Sequence, residues 1–161
     1  MSITSPDRSP SSRVDLDEID KAIIRELQVD GRMPYSQLAP LVGLSEAATR
    51  QRVNRLTERG VVSIVAVTDP IALGYGYQAM LGINVESDIT ATAEKLSQIN
   101  ELEYVVITTG RHDILAEVVC TDAEHLLEVI DTRIRSVSGV RNVETLTYLR
   151  IVKQSYDWGT M

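Results

Sequence analysis

The chain has 161 residues, of which 43% are hydrophobic and 24% charged, and its formal net charge is −7. That balance suits an ordinary globular chain of one domain or two small ones. It excludes a wholly electrostatic nucleic-acid coat protein, and no apolar run approaches the roughly 18 residues that a membrane span needs.

Residues 1–14 are rich in Ser and Pro and read as a disordered arm. Order is expected from Asp15, which with Glu18 fits a helix N-cap and its reciprocal partner. Leu16, Ile19, Ile23 and Leu27 then recur at spacings of three and four, one helical face, with Gly31 as the expected stop. A second short helix fits Tyr35–Val42, with Leu38 and Leu41 inward and Pro40 an oddity inside it. Gly43 breaks it, Leu44 plugs the turn and Ser45 caps a third helix from Glu46 to about Arg59. These elements make 15–62 a helix-turn-helix domain.

Val61–Val67 is β-branched and reads as a strand or strand pair leaving that domain. Asp69-Pro70 and two glycines mark 63–76 as a linker strand or hinge. The order from 77 to 154 is strand, helix, strand, strand, helix, strand. The expected bounds are Tyr77–Val85, Thr90–Ile99, Tyr104–Thr109, Ile114–Thr121, Ala123–Arg135 and Val140–Val152. Leu126, Leu127, Ile130 and Ile134 are expected inward on the second helix. This is the ferredoxin-like βαββαβ arrangement, a weak duplication of a βαβ half. Residues 155–161 form a tail with an aromatic pair, Tyr156 and Trp158.

The charge is unevenly spread. Residues 63–161 hold 7 Lys/Arg and 14 Asp/Glu, whereas 15–62 hold 7 and 8. The segment 45–59 is locally basic, with Arg50, Arg52, Arg55 and Arg59 against Glu46 and Glu58, so the overall sign does not exclude DNA. At 100° per residue, Thr49, Val53 and Leu56 share the buried face of the third helix. Gln51, Asn54 and Ala47 fall opposite, with Arg55 and Ala48 on one shoulder and Arg50 on the other. Arg, Gln and Asn are the side chains that pair bidentately with base edges in the major groove. Tyr35, Ser36, Gln37 and Ser45 lie at helix N-termini, where N–H groups and hydroxyls hold phosphates.

Leu16-Asp17-Glu18-Ile19-Asp20, Leu27, Asp30-Gly31-Arg32, Leu38-Ala39, Val42-Gly43-Leu44-Ser45, Arg52-Val53, Arg55-Leu56 and Gly60-Val61-Val62 occur in order. Together they resemble the leucine-responsive/asparagine regulator (Lrp/AsnC) family. Gly110-Arg111-His112-Asp113 resembles that family's Gly-x-x-Asp hairpin and Gly139-Val140 its Gly-Val before the last strand. The chain departs at His112, where the family often has an aromatic, and at Pro34, where it has a small capping residue. The resemblance implies an α+β fold: an N-terminal helix-turn-helix (winged) domain followed by a ferredoxin-like βαββαβ effector and oligomerisation domain. It implies a transcription regulator, not an enzyme, that binds double-stranded DNA. It implies a homo-oligomer, a dimer building to a tetramer or octamer, with a small effector, commonly an amino acid, at subunit interfaces. Carried over, Gly110, Arg111, His112, Asp113, Gly139 and Val140 become effector candidates, with Thr108 and Thr145 nearby.

The residues agree with that implication and also allow a plainer role. Backbone N–H groups at a glycine turn suit a carboxylate and Asp113 suits an ammonium, yet Gly110 and Asp113 equally serve the hairpin turn. Gly139 equally ends a helix, and His112 equally sits on the surface. No metal or cofactor is expected: His112 and His125 lack a cysteine pair, and Cys120 reads as a buried inert thiol. With one cysteine an intramolecular disulfide is excluded, and an N-terminus without an apolar core is not a signal peptide, so a cytoplasmic protein is expected. Two other readings are an architectural DNA-wrapping protein with little effector response, and an enzyme or enzyme-regulating amino-acid module, which would carry no helix-turn-helix.

Overall fold

A computed structural model describes residues 15–154, to which the expected arm and tail do not belong. The chain divides into two compact units, with the boundary between Ala66 and Val67.

The first unit holds α1 (Glu18–Val29), α2 (Tyr35–Leu41) and α3 (Glu46–Glu58). Asp17, not Asp15, caps α1, accepting the N–H of Asp20 at 2.8 Å. Asp30, not Gly31, closes it by donating to the Glu26 carbonyl. Ile23 and Leu27 of α1, Leu38 of α2, and Val53 and Leu56 of α3 form its core. Leu41 is 60% exposed, against expectation. Leu38 and Ala39 are both buried, so the inward direction lies between them and Leu41 points roughly 110° away. Val42 falls on the inward direction instead and packs on the core. Gly43 makes the turn at φ +69°, and Ser45 caps α3 by accepting from Ala48 N.

The strand expected over Val61–Val67 does not form, so no wing is built among the described residues. Its first residues complete a helix stop instead. Gly60 N–H donates to Thr57 O at 2.9 Å and Val61 N–H to Leu56 O at 2.9 Å, the paired bonds of a Schellman stop. Val61 and Val62 then pack on the core below α3.

The second unit holds β1 (Tyr77–Val85), α4 (Ile89–Leu96), β2 (Leu102–Ile107), β3 (Ile114–Cys120), α5 (Ala123–Glu128) and β4 (Val140–Thr147). The strands form one antiparallel sheet in the order β2-β3-β1-β4. Alternation sends Ala79, Leu81 and Ile83 of β1 and Ile114, Ala116, Val118 and Cys120 of β3 to one face. There they pack with Leu96 of α4 and Leu126 of α5. The other face carries Met80, Leu115, Glu117 and Leu146, and no helix of this unit covers it.

Three bounds shift. α4 begins at Ile89 because Asp88 caps it, accepting from Ala91 N at 3.1 Å. The second helix loses its α geometry at Val129 and continues as a π-helical turn to Ile134, marked by Arg135 N–H on Ile130 O. Leu126, Ile130 and Ile134 face inward as expected and Val129 joins them, while Leu127, which precedes the π-helical turn, is 65% exposed. With Leu126 and Val129 both buried, the inward direction lies on the far side of Leu126 from it. β4 stops at Thr147 because its partner β1 has almost run out at Tyr77.

Candidate nucleic-acid interface and a polar hairpin

The outward side of α3 is assembled by what its flanks do. Thr49, Val53 and Leu56 fix the inward face, so Ala47, Gln51, Asn54 and Glu58 form the outer ridge, all exposed. Gln51 and Asn54, two carboxamides one turn apart, stand where the sequence places them. Ala48 is half-buried beside them.

The arginines turn aside. Arg50 folds towards α2, with its guanidinium 5.2 Å from the Tyr35 ring centre and 3.1 Å from Glu46. Arg55, expected on the reading face, reaches back to α1, where its Nη2 donates to both oxygens of Asp20 at 2.9 and 2.8 Å. Arg52 joins it, with Nη1 at 2.8 Å from Asp20 Oδ1 and 2.6 Å from Asp17 Oδ2. The Arg52 hydrogen bond holds the Asp17 carboxyl below the usual carboxylate range. Ser36 and Gln37 are exposed in the first turn of α2, and Tyr35 is half-covered. The Ser45 hydroxyl accepts from Ala48 N, so its capping bond is already made.

Asp20 and Arg52 were not among the expected functional residues. The signal was available: Asp20 lies three residues before Ile23 and seven before Leu27, on the apolar stripe of α1, where a carboxylate needs a partner.

In the second unit the hairpin 108–113 closes on itself and on β1. Thr108 donates its hydroxyl to His112 O at 2.6 Å and its N–H to Asp113 O at 2.9 Å. Asp113 Oδ2 accepts the N–H of Val85 at 2.8 Å, at an irregularity in the β1–β4 register. Val85 also pairs with Val140, and Glu86 N–H donates to Gly139 O. Asp113, Gly139 and Val140 are therefore gathered around one end of β1. Gly110, at φ +126°, and Arg111 are exposed at the hairpin tip. Thr145 is apart from them: it pairs with Leu81 farther along β4, on the helix-covered side.

His112 lies on the opposite, uncovered side. Its Nε2 is 3.0 Å from Glu144 Oε2 and its Nδ1 3.4 Å from Asn84 Oδ1. Asn84 in turn donates to Arg111 O at 2.7 Å, and the Arg111 guanidinium is 3.5 Å from Glu144. Asn84 and Glu144 were not expected; they are ordinary polar residues in strands, and only the register brings them to His112. Gly82, beneath the ring, did carry a signal, since a glycine inside a strand marks a close approach.

Residues 16–57 match the AsnC-type helix-turn-helix domain, and residues 77–161 match a family described as a C-terminal dimeric alpha+beta barrel domain. An uncharacterized HTH-type transcriptional regulator of Pyrococcus abyssi is 36% identical over 148 residues, covering 91% of this chain and 94% of its own. The leucine response regulatory protein LrpA of Mycobacterium tuberculosis superposes with a TM-score of 0.79 at 32% identity, over 86% of this chain and 96% of its own. The fold is also that of a transcriptional regulator from Neisseria meningitidis solved as its L-Met complex, with a TM-score of 0.78 at 24% identity, over 88% and 95% of the two chains.

Proposed function

The chain belongs to the Lrp/AsnC family of helix-turn-helix transcription regulators, and from that premise we propose that it is a homo-oligomeric, sequence-specific DNA-binding protein of the cytoplasm whose DNA affinity responds to an amino acid. The observation that carries the reading is the outer ridge of α3. Ala47, Gln51 and Asn54 stand exposed on a helix whose opposite face is locked by Thr49, Val53 and Leu56. Small and amide-bearing residues on such a ridge allow close approach to a major groove and hydrogen bonding to base edges. Ser36 and Gln37 would flank it towards the phosphates.

One copy of α3 reads too few bases for a specific site, so the protein acts in pairs. The uncovered sheet face, with Met80, Leu115, Leu146 and Tyr104, supplies apolar area for a second copy. Dimerisation sets two α3 helices about one DNA turn, roughly 34 Å, apart. The effector reading rests on the hairpin. Gly110 and Arg111 form an exposed tip beside His112, and Arg111 and Asp113 bring charges of both signs near Gly139 and Val140, chemistry suited to a zwitterion. An effector bound there between copies shifts the assembly only by its differential affinity for the alternative arrangements. That the Neisseria regulator was solved with L-Met supports an amino acid as the class.

The test is selection of a duplex from a randomised pool, followed by fluorescence anisotropy with and without each proteinogenic amino acid, alongside light scattering. A selected sequence, a dimer or larger mass, and an affinity change with one amino acid are expected. Absence of any selected sequence at about 150 mM salt overturns the regulator reading. A monomeric mass overturns the paired reading, and indifference to every amino acid overturns the effector.

A further inference from the structure

The arginines of α3 do not share one role. Asp20 is 2% exposed on the packed stripe of α1. A carboxylate in such a place is costly unless paired and hydrogen-bonded. Among the described residues its side-chain partners come from α3: Arg52 on Oδ1, and Arg55 on both oxygens. The Arg55 side chain remains 44% exposed and belongs to the outer shoulder of α3, so it would extend outward if released. Arg50, on the other shoulder, is folded over Tyr35 and paired with Glu46. The ridge between them, Ala47, Gln51, Asn54 and Glu58, contains no cation.

We infer that Asp20 is a positioning residue for DNA recognition: it holds Arg52 and Arg55 away from the groove, so that base reading falls to the carboxamides of Gln51 and Asn54. This rests on the DNA-binding reading above. The ligand chemistry follows. A carboxamide pairs bidentately with N6 and N7 of adenine, whereas a guanidinium pairs with O6 and N7 of guanine. Withdrawing Arg55 removes a guanine reader and a phosphate neutraliser together, and it leaves an adenine-bearing edge as the preferred partner of α3.

The full-length chain and its variants are each put through selection from a randomised duplex pool. The duplex selected by the wild type then serves for anisotropy between about 50 and 200 mM salt. The wild type should select half-sites with adenine at the positions α3 faces. Arg55→Gln should select the same sequence with an unchanged salt slope. Gln51→Ala and Asn54→Ala should each lose about tenfold or more in discrimination at one position. Asp20→Asn, which frees the arginines, should steepen the slope by about 0.9 for each one that reaches a phosphate and admit guanine at an α3 position. Circular dichroism checks folding. Should Arg55→Gln fail to fold, Arg55→Lys keeps a charge for Asp20 but cannot read guanine bidentately, and it too should retain the wild-type sequence. A slope lowered by about 0.9 in Arg55→Gln, or an altered selected base in either Arg55 variant, overturns the inference while leaving the DNA-binding reading intact. A wild type that selects no sequence overturns both.

Discussion

The His112 imidazole lies flat against Gly82: a Cβ built at Gly82 would stand 2.6 to 2.7 Å from three atoms of the ring. The strand can carry the ring only because residue 82 has no side chain. The ring is thereby set between Glu144 and Asn84.

Gly82→Ala should displace the ring. Because a side chain yields more easily than backbone, the cost should be about 1–3 kcal/mol, not loss of the fold. Urea unfolding followed by circular dichroism measures it. The His112 ring resonances should shift in the same variant, and unchanged resonances would show that the ring is not held there.

Asp113 has a structural bond through one oxygen, to Val85 N. Asp113→Asn keeps an acceptor for that bond and removes the charge. Stability should change by less than about 1 kcal/mol, while the response of DNA binding to an amino acid should disappear. A variant that is stable and still responsive would confine Asp113 to the hairpin.

Gly139 is under two constraints. Its φ is +102°, and a Cβ there would meet Ser87 Oγ at 2.5 Å and Thr92 Oγ1 at 2.6 Å. Thr92 is buried and its hydroxyl already donates to Asp88 O, so it has little room to move. Gly139→Ala should cost about 3 kcal/mol by urea unfolding.

Burial, helped by the negative charges of Glu101 and Asp122, pushes the Cys120 thiol up to about 11. A disulfide reagent at pH 8 should therefore react slowly with the native chain and rapidly in denaturant, because the thiolate is the nucleophile. Equal rates would place Cys120 outside the core.

Burial, then the charge and hydrogen bond of Glu117, push the Tyr148 hydroxyl up to about 12. The native state therefore holds this proton more tightly than the unfolded chain, whose tyrosine titrates near 10. Its contribution to stability is complete below pH 10 and is lost as the pH rises through 12. The difference in tyrosinate absorbance between wild type and Tyr148→Phe should have a midpoint near 12; a midpoint near 10 would remove the Glu117 contact. At the acid end the sign reverses. The Asp17 and Asp122 carboxyls are held below 3.8 by hydrogen bonds, chiefly from Arg52 and from the His125 N–H respectively. Their contribution is present above that value and fades as the pH falls through the lowered one.

Local chemistry made much of this legible from residue order alone. Thr49, Val53 and Leu56 are spaced for one helical face, Ser45 precedes a free N–H that needs an acceptor, and the strand and helix order of 77–154 follows from period and turn residues. Each is decided within a few residues, where the chain has few alternatives. Tertiary structure decided the rest. Arg55 has the position of a base reader on α3, and only the tertiary structure shows that its guanidinium is paired with Asp20, 35 residues earlier, a buried carboxylate that is costly to leave unpaired. Leu127 has the spacing of a core residue, yet the helix packs on its Leu126–Val129 side and leaves Leu127 exposed. Val61–Val67 has the composition of a strand, but its first N–H groups end α3 and, among the described residues, no strand pairs with the remainder. Propensity names what a segment can do, and the partner that satisfies its charges and hydrogen bonds selects what it does.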